Sequence, residues 1–314
     1  MTRARYVVLL GAQRFDSTLG SIVRRLEVSG PFALITAGWR EREDEDERLR
    51  AHLECETVNL RLYHRAEDVL ARDPELAEAH RAKQSKLRHK QDFYRIRLEH
   101  ELAAVHVIRQ RRAPPDVLAE EQQASIAAIR QLDAYHFAQC RRVNAEYEAA
   151  MRPLERPAVR EHCEQLREQL APCQAIAIAG GHVAALLNRM RMFGIADMVE
   201  ERPVFAWSGG GMVVSEQVVL FHDSPPQGRG ASEVLDEGLG LVRNVLSFPH
   251  PDIRLRLDDP ARISLLAQRF APAKCLAMPE GAYVVVRDGQ LQRPSLVSLL
   301  SEDGACVPLE EQPS

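Results

Sequence analysis

Lysine is nearly missing from these 314 residues: it stands only at Lys83, Lys86, Lys90 and Lys274, and arginine supplies the rest of the 41 basic side chains. We read that as a bias of composition before a statement of function. A surplus of positive charge is absent as well. The basic residues face 45 acidic ones for a net charge of -4, which argues against a dedicated nucleic-acid binder. No Cys-x-x-Cys pair occurs among Cys55, Cys140, Cys163, Cys173, Cys275 and Cys306. Neither a zinc site nor a disulfide framework is indicated, and scattered thiols suit a reducing cytosol. No apolar run approaches the roughly 18 residues needed to span a bilayer. The segment from Thr2 to Gly11 begins like a signal peptide, but its apolar core is short and no small-residue cleavage site follows. It reads as the first buried strand of a cytoplasmic protein. Also missing are a Gly-Lys-Ser/Thr phosphate loop, a third glycine to complete a dinucleotide fingerprint after Gly209 and Gly211, and a His-Glu-x-x-His zinc motif at His100 and His106. No cofactor, metal or membrane partner is expected.

What is present is the composition of a globular protein, 45% hydrophobic and 27% charged, long enough for one large domain or two ordinary ones. Short apolar runs at Tyr6 to Leu10 and Phe32 to Thr36 have the pattern of strands buried on both faces, with a helix over Ser17 to Ser29 between them. A strand at Thr57 to Tyr63 and a helix near Ala66 to Ala71 extend the alternation, which predicts an open, mostly parallel α/β sheet with helices on both faces. The alternation then breaks. From Pro74 to Arg112 and from Asp116 to Arg152 the chain lacks glycine and places apolar residues at helical spacing, with Ala113-Pro114-Pro115-Asp116 between the halves. Two helices on the order of 55 Å long would form an antiparallel hairpin projecting from the sheet. The predicted division is 1–72 and 157–314 for one α/β domain and 73–156 for the inserted hairpin. Its apolar stripe needs a cover, which a dimer partner would supply. Between Arg81 and Arg112, ten basic residues face three acidic ones, a solvated face or a surface for an acidic partner. The α/β pattern resumes at Ala175 to Gly181 and the helix Val183 to Phe193, with later strands at Val218 to Phe221, Lys274 to Ala277 and Tyr283 to Arg287, a helix around Pro260 to Phe270, and a polar, frayed ending.

One stretch carries chemistry. Pro203 to Trp207 is an apolar run that meets Ser208 and then three glycines, with a helix predicted over Met212 to Gln217. A strand that turns at once through serine into a helix exposes a nucleophile, and the positions two before and two after it must be small; here they are Ala206 and Gly210. The plainer alternative is a serine in a structural Gly-rich turn. A serine nucleophile needs a base, a group that orients the base, and oxyanion donors. Asp223 in His222-Asp223-Ser224-Pro225 and His250 in Pro249-His250-Pro251 follow Ser208, each just past a predicted strand, which would bring all three to the carboxyl edge of the sheet, where open α/β folds bind ligands. The acidic run Glu41 to Glu47 reads as a solvated helix start.

At these residues the chain resembles the peptidase E and cyanophycinase group of serine peptidases, whose fold is like that of class I glutamine amidotransferases and flavodoxin-like sheets. The carriers are Thr36-Ala37-Gly38-Trp39, Gly180-Gly181 with the helix after it, Trp207-Ser208-Gly209-Gly210, His222-Asp223-Ser224-Pro225, Pro249-His250 and Met278-Pro279-Glu280-Gly281. The resemblance implies Ser208 as nucleophile, His250 as general base and Asp223 as its orienting acid. It implies oxyanion donors at Gly209 and the Gly180-Gly181 turn, and substrate contacts at His182, Arg254, Arg256 and Glu280. Arg254 and Arg256 are equally well read as structural ion pairs. Where the family has Ser-Ala-Gly-Ala this chain has Ser208-Gly209-Gly210-Gly211, and where it has Gly-Gly-Asn this chain has Gly180-Gly181-His182. The expected function is hydrolysis of a peptide or amide bond through an acyl-enzyme on Ser208. The alternative is an idle α/β scaffold whose hairpin mediates self-association or partner binding.

Overall fold

Apolar runs with no polar alternation become the middle of a sheet. A computed structural model describes residues 4–13, 17–221, 232–255 and 257–310. The chain begins β1 (Val7–Leu10), α1 (Leu19–Arg25), β2 (Phe32–Ile35), α2 (Glu47–Leu53), β3 (Thr57–Asn59) and α3 (Leu62–Arg72). Three helices follow, α4 (Pro74–Arg109), α5 (Pro115–Met151) and α6 (Pro157–Leu170). Then come β4 (Ala175–Ile178), α7 (Val183–Met192), α8 (Ile195–Met198), β5 (Val204–Trp207), α9 (Gly209–Val213), β6 (Gln217–Leu220), β7 (Glu233–Glu237) and β8 (Val245–Pro249). The end is α10 (Pro251–Arg254), α11 (Pro260–Phe270), β9 (Lys274–Met278), β10 (Tyr283–Arg287), β11 (Gln290–Ser295), β12 (Ser298–Leu300) and β13 (Cys306–Pro308).

The central sheet has the order β11-β10-β1-β5-β4-β2-β3. Its five strands from β1 to β3 are parallel, and β10 and β11 add an antiparallel edge. Every residue of β1, β2, β4 and β5 is buried, because helices cover both faces. Leu19 and Ile22 of α1 and Leu49 and Leu53 of α2 pack with Val8, Phe32 and Leu34 on one face. On the other, Ala66 of α3, Leu166 of α6 and Leu187 of α7 pack with Leu9, Ile35 and Ile178. The fold is α/β, an open, mostly parallel sheet with a long helical insertion.

Two expectations are corrected. The ending is not frayed: β11 to β13 add three strands, the first through a tight turn in which Asp288 and Gly289 both have positive φ. That is the backbone of the favoured two-residue hairpin. The strands β12 and β13 join β9 and β8 in a second sheet of order β13-β12-β9-β8, while β6 and β7 form a separate ribbon.

Nor does the helical hairpin project. Its helices of 36 and 37 residues lie along the body, and Tyr94, Leu98, Val105, Ile129, Leu132 and Tyr147 are buried in the same core as Leu9 and Ile178. The stripe that called for a cover finds it inside the chain. A buried polar cluster fixes the seam. Arg269 of α11 donates from Nε to Asp133 Oδ2 at 2.6 Å and from Nη2 to Asp133 Oδ1 at 2.8 Å, with a third bond from Nη1 to the carbonyl of Ser232. Tyr94 Oη donates to Asp133 Oδ1 at 2.7 Å and lies 2.8 Å from Arg269 Nη2. The His136 ring stacks on Tyr94 at 4.1 Å between centroids. A buried ion pair is tolerable only when its remaining donors and acceptors are met in this way. At the root, Arg156 clamps Asp73 through two bonds of 2.6 and 2.7 Å, and the Asp73 side chain also caps α4 by accepting from Leu76 N. Among the described residues, no helix is long and apolar enough to cross a membrane.

Candidate active site

The stretch Val204 to Gly211 folds more tightly than its sequence suggests. Strand β5 ends at Trp207, and α9 starts at Gly209 rather than at Met212, so Ser208 alone makes the turn. Its φ of 52° and ψ of -124° are a strained conformation for a residue with a Cβ. Such a conformation persists only where its surroundings dictate it, and here they are backbone. A Cβ on Gly210 would overlap the carbonyl oxygen of Ile178 at the end of β4. A Cβ on Gly180 would come 2.8 Å from Ser208 Cβ and 3.0 Å from Gly209 N, and one on Gly38 would come 2.5 Å from Gly180 O. Three chain turns, after β2, β4 and β5, therefore close on one another with only the Ser208 side chain at their contact. Gly181, at φ 117°, completes the middle turn. Ser208 remains half-buried rather than sealed.

Polar groups behind this junction hold it. His182 N donates to Gly38 O at 2.8 Å, and its Nδ1 accepts from Ala185 N at 3.2 Å to cap α7. The segment carrying Gly38 is anchored by a buried network. Thr36 Oγ1 donates to the Glu43 carbonyl, and Asn59 Nδ2 reaches Thr36 Oγ1, the same carbonyl and Asp46 Oδ2 at 2.9–3.0 Å. The Glu43 carboxylate accepts from the backbone N–H groups of Tyr63 and His64 at the start of α3. Burial raises the Glu43 pKa while those two backbone donors pull it down. The acidic run is a solvated helix start only in part: Glu41, Asp44, Glu45 and Glu47 are exposed ahead of and at the start of α2, but Glu43 and Asp46 are buried. Thr36, Glu43 and Asn59 are supports that sequence reasoning missed. The only signal was that Thr36-Ala37-Gly38 and the acidic run stood together.

His250 arrives by another route. It follows β8, which belongs to the four-stranded sheet and not to the sheet of Ser208, so a single carboxyl edge is corrected to two edges that meet. Pro249 pairs with Met278 in parallel register, which sets His250 beside Pro279. The carbonyl of Pro279 closes on Gly11, where a Cβ would overlap it, and Gly11 continues β1, whose Leu10 pairs with Trp207. His250, Pro279, Gly11 and Ser208 therefore follow one another across the joined edges. Strand β8 also runs alongside α9 in the opposite direction. Val242 N donates to Val214 O near one end, and a Cβ on Gly211 would lie 3.4 Å from Ser247 Oγ further along. His250 itself is half-buried, at φ 56° and ψ 46°, and begins the short helix α10.

Among the described residues Ser208 Oγ has no hydrogen-bond partner, His250 included. Asp223 and Arg256 lie outside the described residues. Glu280 sits in the turn between β9 and β10, at the same edge as Gly11. Arg254 sets its guanidinium 5.9 Å from the centre of the Phe221 ring, and burial lowers its pKa. Cys275 is a poor rival nucleophile: it is buried in β9, where desolvation pushes its thiol up to about 12. Among the described residues no group of three or more His, Cys, Asp and Glu side chains is placed to hold a metal ion.

No family model and no curated protein matches the chain. Solved structures do. One is a peptidase from an acI-B1 Actinobacterium, 15% identical, covering 99% of this chain and 95% of its own, with a TM-score of 0.47. Another is a putative Peptidase E protein from Listeria monocytogenes EGD-e, 8% identical, covering 96% of this chain and 100% of its own, with a TM-score of 0.43.

Proposed function

We propose that the chain is a serine hydrolase that cleaves a peptide or amide bond through an acyl-enzyme on Ser208. The observation that carries this reading is the backbone of Ser208, a non-glycine residue at φ 52° and ψ -124° that joins β5 to α9 without a loop. Strain of this kind is maintained where a side chain must be presented. In the proposed reaction Ser208 Oγ attacks the carbonyl carbon as His250 takes its proton. The oxyanion that forms is met by the backbone N–H of Gly209 and by the Gly180-Gly181 turn, whose atoms lie against Ser208 and Gly209. His250 then returns the proton to the departing amine, and a water activated by the same imidazole releases the acyl group. Asp223 is the proposed orienting carboxylate. His182, Arg254, Arg256 and Glu280 are the proposed substrate contacts.

The test is labelling with a fluorophosphonate together with turnover of a peptide library. Wild type should label once per chain, and Ser208→Ala should lose both labelling and turnover by about ten-thousandfold or more while keeping its melting temperature. Labelling that survives in Ser208→Ala ends the proposal.

A further inference from the structure

Three of the basic side chains of α4 have side-chain partners on neighbouring elements. Lys86 pairs with Glu146 and Arg95 with Glu233, both at 2.7 Å, and Lys90 donates to Gln139 at 3.0 Å. Arg109, in the last turn, is half-buried, whereas Arg81, Arg88, Arg95 and Arg97 are exposed. Among the described residues it makes one hydrogen bond, from Nη1 to the carbonyl of Ala261 at 2.6 Å, and has no carboxylate within ion-pair reach. Most of its five N–H donors therefore have no protein partner among the described residues. It is also partly desolvated, and burial lowers its pKa. The nearby carboxylate of Asp259 is already committed: it accepts from Arg262 N to cap α11 and lies 3.7 Å from Arg262 Nε.

This cation borders a cavity of about 900 Å³ between the end of the hairpin and α11. The hairpin contributes Leu98, Leu102 and Val105 to its wall, and the body contributes Leu255, Ile263 and Leu266. The volume lies within the range of small-molecule sites, and an apolar wall with a few placed polar groups is their usual composition. The other arginines of the wall that face the seam are spent: Arg95 on Glu233 and Arg269 on Asp133. Glu99 and Asp259 share the wall and would repel a ligand of high negative charge.

We propose that this cavity binds an amphipathic monoanion, an extended apolar body ending in one carboxylate, with the body on the leucine wall and the carboxylate on Arg109. A guanidinium matches a carboxylate with paired, parallel bonds, and partial burial strengthens them. Because one wall belongs to the hairpin and the other to the body, the ligand would bridge the two. The proposal does not depend on the chemistry of Ser208.

The probes are decanoate and decyltrimethylammonium, which have the same tail and opposite charge, titrated calorimetrically into the full chain below their micelle concentrations. Decanoate should bind once per chain and at least about tenfold more tightly than the cation. Arg109→Met should weaken decanoate by about tenfold or more and leave the cation no weaker. Arg109→Lys, which keeps the charge but not the fork, should retain part of the affinity, and it serves as the readout if Arg109→Met does not fold. Leu266→Trp, which fills the cavity, should weaken both probes. The absence of saturable decanoate binding, equal binding of the two probes, or wild-type decanoate affinity in Arg109→Met would each overturn the proposal.

Discussion

At the joined strand edges, contact is made by backbone: Gly38, Gly180 and Gly210 meet carbonyls and amides of neighbouring turns, leaving no room for a methyl. Along the seam between the hairpin and α11, contact is made by side chains: Arg269, Asp133, Tyr94 and His136 reach across the gap and satisfy one another. The first junction carries no ionisable group in its contact and is intolerant of added volume. The second depends on charge and hydrogen bonding. The proposed nucleophile, Ser208, would be held better by the first kind, since backbone contacts do not titrate or change rotamer. A long insertion is held better by the second, which fixes two helices in register against the body at a few points.

Three experiments, beginning with the largest effect, probe the seam, the buried root of the hairpin at His80 and the glycine junction. Asp133→Ala leaves Arg269 buried without its carboxylate and should cost about 3–5 kcal/mol in urea unfolding. Combining it with Arg269→Leu should cost less than the sum of the single changes. A loss under about 1 kcal/mol for Asp133→Ala would show that the seam does not rest on the pair. Next is acid. His80 of α4 is buried with Nδ1 unpartnered, and desolvation, followed by the charges of Lys83, Arg189 and Arg81, lowers its pKa to about 4. A depressed folded-state pKa means that the unfolded chain takes up the proton first. Stability from His80 is therefore complete above about pH 6.5 and lost as pH falls through 4, a change of about 3 kcal/mol. His80→Phe should reduce the fall in melting temperature between pH 7 and pH 4, and an unchanged fall would assign the acid sensitivity elsewhere. The smallest effects come from the glycines. Gly210→Ala should destabilise by about 1–3 kcal/mol, because its methyl overlaps Ile178 O. Gly211→Ala, whose methyl finds ordinary contact with Ser247 Oγ at 3.4 Å, should stabilise by about 0.5–1 kcal/mol. Two adjacent glycines with opposite signs would show that the turn needs only some of its glycines.

That contrast also explains what was readable beforehand. The buried strands announced themselves as unbroken apolar runs, and a serine between a strand and small residues pointed to a turn that admits little else. Backbone junctions leave this mark because they restrict which residues fit. The seam leaves none: Asp133 and Arg269 are far apart in the chain, and each looks like an ordinary charge on a helix. Helical spacing showed that α4 and α5 have an apolar stripe but not that the rest of the same chain covers it. Glu43 looked solvated because its partners are backbone N–H groups at the start of α3, which every residue possesses. The position of His250 was legible as a loop after a strand. Its sheet was not, because the turn from β9 to β10 crosses between sheets. The roles of Asp223 and Arg256 rest on sequence alone.

The pairing of β1 has a consequence for how the protein is made. Val7 lies between Val204 and Val286, so β1 is synthesised well before either of its neighbours. At synthesis rates of about 5–20 residues per second, it waits roughly ten seconds or more with both edges open. Helices α4 and α5 meet through a short loop and need nothing downstream to find each other, so local contact can form them early. The insertion is therefore finished before the sheet it lies against, and the nascent chain carries a ready-made surface on which the late strands assemble.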